Sequence, residues 1–228
     1  VWVVLFSIPL FAEQDAEAVH EKAIGYYKTG AFDSTVAVIR RFIKKDGKAP
    51  ETRYLVPLLI EASLREQEVG YARKLFAVYI KKFPDSPYVP RLWYLEGMAL
   101  CRQSVYDRAI RAFSTALELG VSPVLDSLIV YNVGLICTFV LTPDEMERLV
   151  TKTDLHPKLV HEIAYRGIVK LEKTGRWRMV KKAADVFLRA FPRSPYEQNI
   201  RMIMSRAESG QKNQISIGVL VPLSGYNA

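Results

Sequence analysis

The 228-residue chain is poor in the side chains that most often carry chemistry. It has two cysteines, Cys101 and Cys137, and three histidines. Neither cysteine belongs to a CxxC and no His/Cys cluster has metal-ligand spacing, which excludes the common zinc modules. For the thiols two readings stand: free and buried on apolar helical faces, or joined across neighbouring repeats in an oxidising compartment. His156 and His161 lie five apart across Pro157, not the three or four that align two ligands on a helix. His20 and His161 read as solvated or partner-facing side chains. Phosphate loops are missing too, since neither G-x-G-x-x-G nor G-x-x-x-x-G-K-[ST] occurs. There is no G-x-S-x-G elbow, although Ser224 precedes Gly225. The Asp144-Glu145 pair falls in the first turn of a helix, where it complements the dipole. These absences leave no catalytic residue, no cofactor and no metal ligand to assign, and the expectation is a protein that is not an enzyme.

What is present is apolar side chain in quantity. Hydrophobic residues make up 50% and charged residues 25%, enough for a sizeable core in one large domain or two small ones. The net charge is +8, but the basic residues are spread out. Their densest run, Arg40-Arg41, Lys44-Lys45 and Lys48, closes a helix, where cations suit the dipole. No RNP, zinc-finger or basic-zipper pattern appears, so no nucleic acid is expected.

The first twelve residues, "VWVVLFSIPLFA", are almost wholly apolar and are followed by Glu13-Gln14-Asp15. They are too short for a membrane-spanning helix. They look like the core of a secretory signal peptide, with Ala12 where cleavage falls, although Leu10 fits the −3 position poorly. No Cys follows to carry a lipid, and membrane association stays open. Periplasmic or secreted localisation is the expectation.

Helical punctuation then recurs. "FPDSPY" at 83–88 returns as "FPRSPY" at 191–196, three repeat units further on. Pro stops one helix in each copy and is tolerated in the first turn of the next. Unit starts near 16, 52, 88, 123, 158 and 195 are spaced 35 to 37 apart. Thr142 before Pro143 reads as a helix cap. The clearest unit is "RLWYLEGMALCRQSVYDRAIRAFSTALELG", 91–120. Its Trp93, Gly97, Ala109, Phe113 and Ala116 resemble the tetratricopeptide repeat (TPR), with the family's spacing from Gly97 onward. Gly97 and Ala109 lack bulk where two helices cross, and Trp93 and Phe113 fill the space beside them. Glu96 departs from the pattern, which has a large apolar residue there, and Leu100 replaces a common Tyr.

This resemblance implies an all-α fold: a right-handed α-solenoid of about five TPR-like hairpins over 13–209 with a capping helix. It places Arg91, Tyr94, Met98 and Arg102, then Tyr131 and Leu135, on the concave side as candidate contacts for a protein or peptide partner. For Tyr94 and Tyr131 the alternative is packing between repeats. The Asn of the carboxylate clamp found in chaperone-binding members is missing, which argues against that role. The Ser-Pro turns and aromatic helices also resemble, loosely, repeat proteins of the bacterial envelope, such as the Tol-Pal-associated repeat family and outer-membrane assembly lipoproteins.

The chain closes differently. "SGQKNQ", 209–214, reads as a linker, and "ISIGVLVPL" as a strand. Residues 215–228 thus read as a truncated β-strand opening a further domain, expected to be disordered or to borrow an edge in this chain. Ile217, Gly218, Val219, Pro222, Leu223, Ser224 and Gly225 resemble the first strand of the type I periplasmic ligand-binding fold. That likeness implies that Ser224 and Gly225 lie near a small, amino-acid-like ligand of a domain whose remainder is not in this sequence. Repeats before such a domain resemble the activator of a penicillin-binding protein, an interaction scaffold. The alternative is the substrate-binding component of an amino-acid-type ABC transporter with a repeat extension.

Overall fold

The computed structural model describes residues 10–45, 47, 50–152 and 154–212. Among them the chain is helical throughout, with no strand. The helices are α1 (Leu10–Lys28), α2 (Phe32–Lys45), α3 (Thr52–Arg65), α4 (Val69–Lys82), α5 (Val89–Arg102), α6 (Tyr106–Glu118), α7 (Pro123–Phe139), α8 (Pro143–Lys152), α9 (Pro157–Lys173), α10 (Trp177–Ala190) and α11 (Glu197–Lys212). Sequential helices pack as hairpins, α1 with α2, α3 with α4, α5 with α6 and α9 with α10, and α11 follows as a single helix on α9 and α10. Helix α1 starts inside the apolar segment 1–12, and α11 runs into the stretch read as a linker. The signal-like residues 1–9 and the strand 215–228, with Ser224 and Gly225, lie outside the described residues.

Punctuation explains the boundaries. Pro123, Pro143 and Pro157 each open a helix, and Pro90 sits in the first turn of α5. Thr142 forms a capping box with Glu145: its N and Oγ1 each lie 2.8 Å from Glu145 Oε2, and Glu145 N donates back to Oγ1 at 3.3 Å. These bonds hold the Glu145 carboxyl below its ordinary range. The four hairpins turn the same way. Gly30, Gln67, Ser104 and Gly175 adopt positive φ, and the next N–H reaches back five residues, as in Ala31 to Tyr26 and Val105 to Leu100. This is the Schellman stop, which favours glycine.

The described residues fall into two compact units that part between Tyr131 and Asn132, within α7. In the first, Ala23, Ile39, Leu55 and Leu59 form one cluster and Ile60, Phe76, Tyr79 and Leu92 another. In the second, Ile168, Val180, Phe187, Ile200 and Ile203 form the core between α9, α10 and α11.

The third hairpin shows why its small residues are needed. A Cβ on Gly97 would lie 2.4 Å from Phe113 Cε1, so the ring occupies the place of the missing side chain. Ala109 and Ala116 are fully buried beside it. Trp93 corrects the sequence expectation: its ring meets Phe76 of the preceding hairpin, centroids 5.0 Å apart, and so joins repeats. Glu96, buried where the family has an apolar residue, accepts from Arg73 Nε at 2.8 Å across the same junction. Burial raises its pKa, with Arg73 opposing, and its second oxygen has no hydrogen-bond partner.

Candidate partner-binding face

Helix α5 buries Leu92, Glu96, Gly97, Ala99 and Leu100. The opposite stripe, at steps of three and four residues, is Arg91, Tyr94, Met98 and Arg102. All four line one groove of about 460 Å³ in the first unit, between α3, α5 and the start of α7. Glu61 and Arg65 form the α3 side, and Val124 and Leu128 the α7 side.

The polar side chains of the groove are held in place. Glu61, 13% exposed, takes the Arg91 guanidinium on both oxygens at 2.8 Å and the Tyr27 hydroxyl at 2.8 Å. Carboxylate, phenol and guanidinium thus tie α1, α3 and α5 together, and burial and Glu61 together raise the Tyr27 pKa. Arg102 donates to the Leu64 carbonyl at the C-terminal end of α3, which also accepts from Gln67 N at 3.3 Å. Tyr94 is half-buried and leans on Phe113, centroids 5.8 Å apart, so it supports its own hairpin and still faces the groove. Met98 is half-buried. The groove therefore joins an apolar wall to three guanidinium groups and one carboxylate.

Tyr131 and Leu135 do not line this groove. Both lie on α7 and are exposed, 63% and 37%. The sequence reading does not include Glu61, Val124 or Leu128. Glu61 follows Tyr27 and precedes Arg91 by nearly one repeat each, a spacing that marks a ladder across successive hairpins. Val124 and Leu128 stand one turn apart on a helix apolar on every side, and so carry little periodic signal.

The second unit carries its own buried carboxylate. Glu162 accepts from Arg166 Nε at 2.7 Å and from the Tyr196 hydroxyl at 2.8 Å. Gly134 makes room for it, since a Cβ there would come within 2.9 Å of Glu162 Oε1. Burial, then the bond to Glu162, pushes the Tyr196 phenol up to about 12.

The remaining sequence candidates take structural roles. His161 is half-buried: its ring lies among Phe187, Phe191 and Tyr196, and Nε2 meets Ser194 Oγ at 2.8 Å. His156 caps α9, accepting from Lys158 N at 3.3 Å, and His20 meets Tyr54 edge to face. Burial pushes the Cys101 thiol up to about 11 and Cys137 up to about 12, and both are free. Among the described residues no group of His, Cys, Asp and Glu is arranged to hold a metal. No described helix is long and apolar enough to cross a membrane.

No family model and no curated protein matches the sequence. The fold does have a likeness. A tetratricopeptide repeat protein from Parabacteroides merdae ATCC 43184 is similar over 87% of this chain and 78% of its own, with a TM-score of 0.50 and 12% identity. The chain has a TPR-like all-α solenoid fold.

Proposed function

We propose that this chain is a non-enzymatic protein–protein interaction scaffold of the bacterial cell envelope, and that the groove between α3, α5 and α7 receives a segment of its partner. One observation carries the reading: Arg91, Tyr94, Met98 and Arg102 converge on one groove with Val124 and Leu128. Apolar walls beside three arginines and a single carboxylate suit a segment with apolar anchors and acidic flanks. Envelope placement rests on the apolar residues 1–12, and a role like that of a penicillin-binding-protein activator rests on the motif at 217–225.

Affinity capture from an envelope extract with the whole chain, beside a Met98→Asp chain, tests this. One envelope protein held by the first and lost with the second is expected. Recovery of cytosolic chaperones alone, or equal recovery by both chains, contradicts the reading. A second reading, solute capture for an amino-acid-type transporter, is favoured by the same motif at 217–225. It requires a protein that joins this chain to a complete ligand-binding domain to bind an amino acid, which isothermal titration decides.

A further inference from the structure

The second helices of the first two hairpins, both in the first unit, are strongly basic. Helix α2 sets Arg40, Arg41, Lys44 and Lys45 against one acid, Asp33, and α4 sets Arg73, Lys74, Lys81 and Lys82 against none. Glu68 neutralises Arg40 and Glu96 neutralises Arg73. The other six cations are exposed. Among the described residues Arg41, Lys44, Lys74, Lys81 and Lys82 have no carboxylate partner. They follow one outward stripe on each helix: Ala37, Arg41, Lys44 and Lys45 on α2, and Lys74, Ala77, Lys81 and Lys82 on α4. Arg40 sets the two helices side by side, with its guanidinium 4.1 Å from the Tyr71 ring centroid and paired to Glu68. Lys44 stands one turn beyond Arg40 and Lys74 one turn beyond Tyr71, so the stripes meet along that seam. Helix dipoles account for Lys44, Lys45, Lys81 and Lys82, which lie in last turns. They do not account for Arg41 and Lys74. The face is also local. Helix α6 balances Arg108 and Arg111 with Asp107 and Glu118, and on α10 Asp185 interrupts the cations while Lys181 pairs with Glu208 at 3.9 Å.

We propose that the α2–α4 face of the first unit docks on an anionic lipid surface. Charge complementarity is the driving force: six exposed cations on two adjacent helices meet a sheet of negative headgroups. The kind of cation favours lipid over an acidic protein. Five of the six are lysines, hydrated point charges on flexible stems that can follow a fluid array of headgroups. The groove, by contrast, has arginines only, whose planar forks suit fixed carboxylates. Ala37 and Ala77 keep the stripes low between the cations, so headgroups can come close to both helices. The groove is lined by α3, α5 and α7, so none of its residues is used by the lipid. The docking stands apart from the proposed function and would hold whatever the groove receives.

Co-sedimentation of the 228-residue chain with vesicles tests this, using phosphatidylcholine alone or with about one third phosphatidylglycerol. The wild type is expected to bind the anionic vesicles on the order of ten-fold or more tightly than the neutral ones, and to lose that margin at about 0.5 M salt. The triple variant Lys44→Glu, Lys74→Glu, Lys81→Glu should bind the anionic vesicles on the order of a hundred-fold more weakly. A second triple, Lys173→Glu, Arg178→Glu, Lys182→Glu, lowers the net charge equally at exposed sites of the second unit and should keep most of the binding. All six positions are exposed, so the helical circular dichroism of both variants should match the wild type. Equal binding of the wild type to both vesicles, binding to neither, full binding by the first triple, or equal loss in the two triples overturns the proposal.

Discussion

The same "FPxSPY" corner is built twice, and its two copies are held by different side chains. Around "FPDSPY", Tyr79 donates to the Arg53 carbonyl at 2.6 Å and lies 2.7 Å from Ser86 Oγ. The counterpart of Tyr79 in the second copy is Phe187, which has no hydroxyl. Around "FPRSPY", His161 reaches Ser194 instead, and His161 is itself the counterpart of Arg53. The backbones agree at the opening phenylalanine: Phe83 and Phe191 have φ −133 and −127, and their N–H groups bond Tyr79 and Phe187 carbonyls, both at 2.8 Å.

Pro57 explains the exchange. It lies inside α3 and has no N–H to give the carbonyl four residues back, which is Arg53. Tyr79 supplies that missing donor. At the equivalent place in α9 stands Tyr165, whose N–H serves the helix, so a hydroxyl at 187 has no carbonyl to satisfy. Phenylalanine suffices there, and the serine takes its bond from the imidazole. A repeat therefore keeps the geometry of its corner while the hydrogen-bond demand of each helix sets the side chain.

The largest break in the comparison is His161→Ala. It empties a ring site between three aromatic neighbours and strips Ser194, and should cost about 3 kcal/mol by urea unfolding. Adding Phe187→Tyr to that chain should restore about 1 kcal/mol, because the new hydroxyl can reach Ser194 as Tyr79 reaches Ser86.

Next, Tyr79→Phe should cost about 1.5–2 kcal/mol, since it leaves the Arg53 carbonyl without its donor. In a Pro57→Ala background the same change should cost under about 1 kcal/mol. A double-mutant cycle with no coupling breaks the link between Pro57 and Tyr79.

A pH scan separates the corners further. Burial lowers the His161 pKa, with Glu162 pulling the other way. The unfolded chain then takes up the proton first as pH falls. The stability from neutral His161 is full above about pH 6.5 and declines as pH falls through that value toward the lower folded pKa. Urea midpoints of the wild type should fall more between about pH 7.5 and about pH 5.5 than those of His161→Ala.

The smallest effect lies at the third residue of each corner's loop. Arg193 has φ +70, and Asp85 is not among the positive-φ residues. Arg193→Gly should gain about 0.5 kcal/mol and Asp85→Gly should lose a few tenths, read as shifts in melting temperature.

The hairpins are legible in the sequence because Pro and Gly mark their ends and apolar residues recur at helical steps. Helices α3, α5, α7, α9 and α11 begin within two residues of the expected starts at 52, 88, 123, 158 and 195. Gly97 against Phe113 is legible for a similar reason, since a bare backbone beside a ring leaves a spacing signature. Trp93 escapes that logic, because spacing within one hairpin does not reveal that a ring reaches back to Phe76. His161 is half-buried against Phe187, Phe191 and Tyr196, which are distant in sequence, so its own neighbourhood reads as solvated. Glu96 looks like a departure from the repeat until Arg73, one repeat earlier, is seen to supply its counter-charge. On the candidate face, the α5 stripe follows from periodicity. Glu61 and the α7 wall do not, because a ladder across three helices and an all-apolar helix leave no stripe to read.

The most direct test of the account is photo-crosslinking in the living envelope, with the reactive group at Tyr94 in the groove or at Val78, which is 65% exposed on α4. The account predicts a discrete adduct with another envelope protein from position 94 and none from position 78. Adducts from position 78 alone, or none from position 94 while the chain is folded and in the envelope, would contradict it.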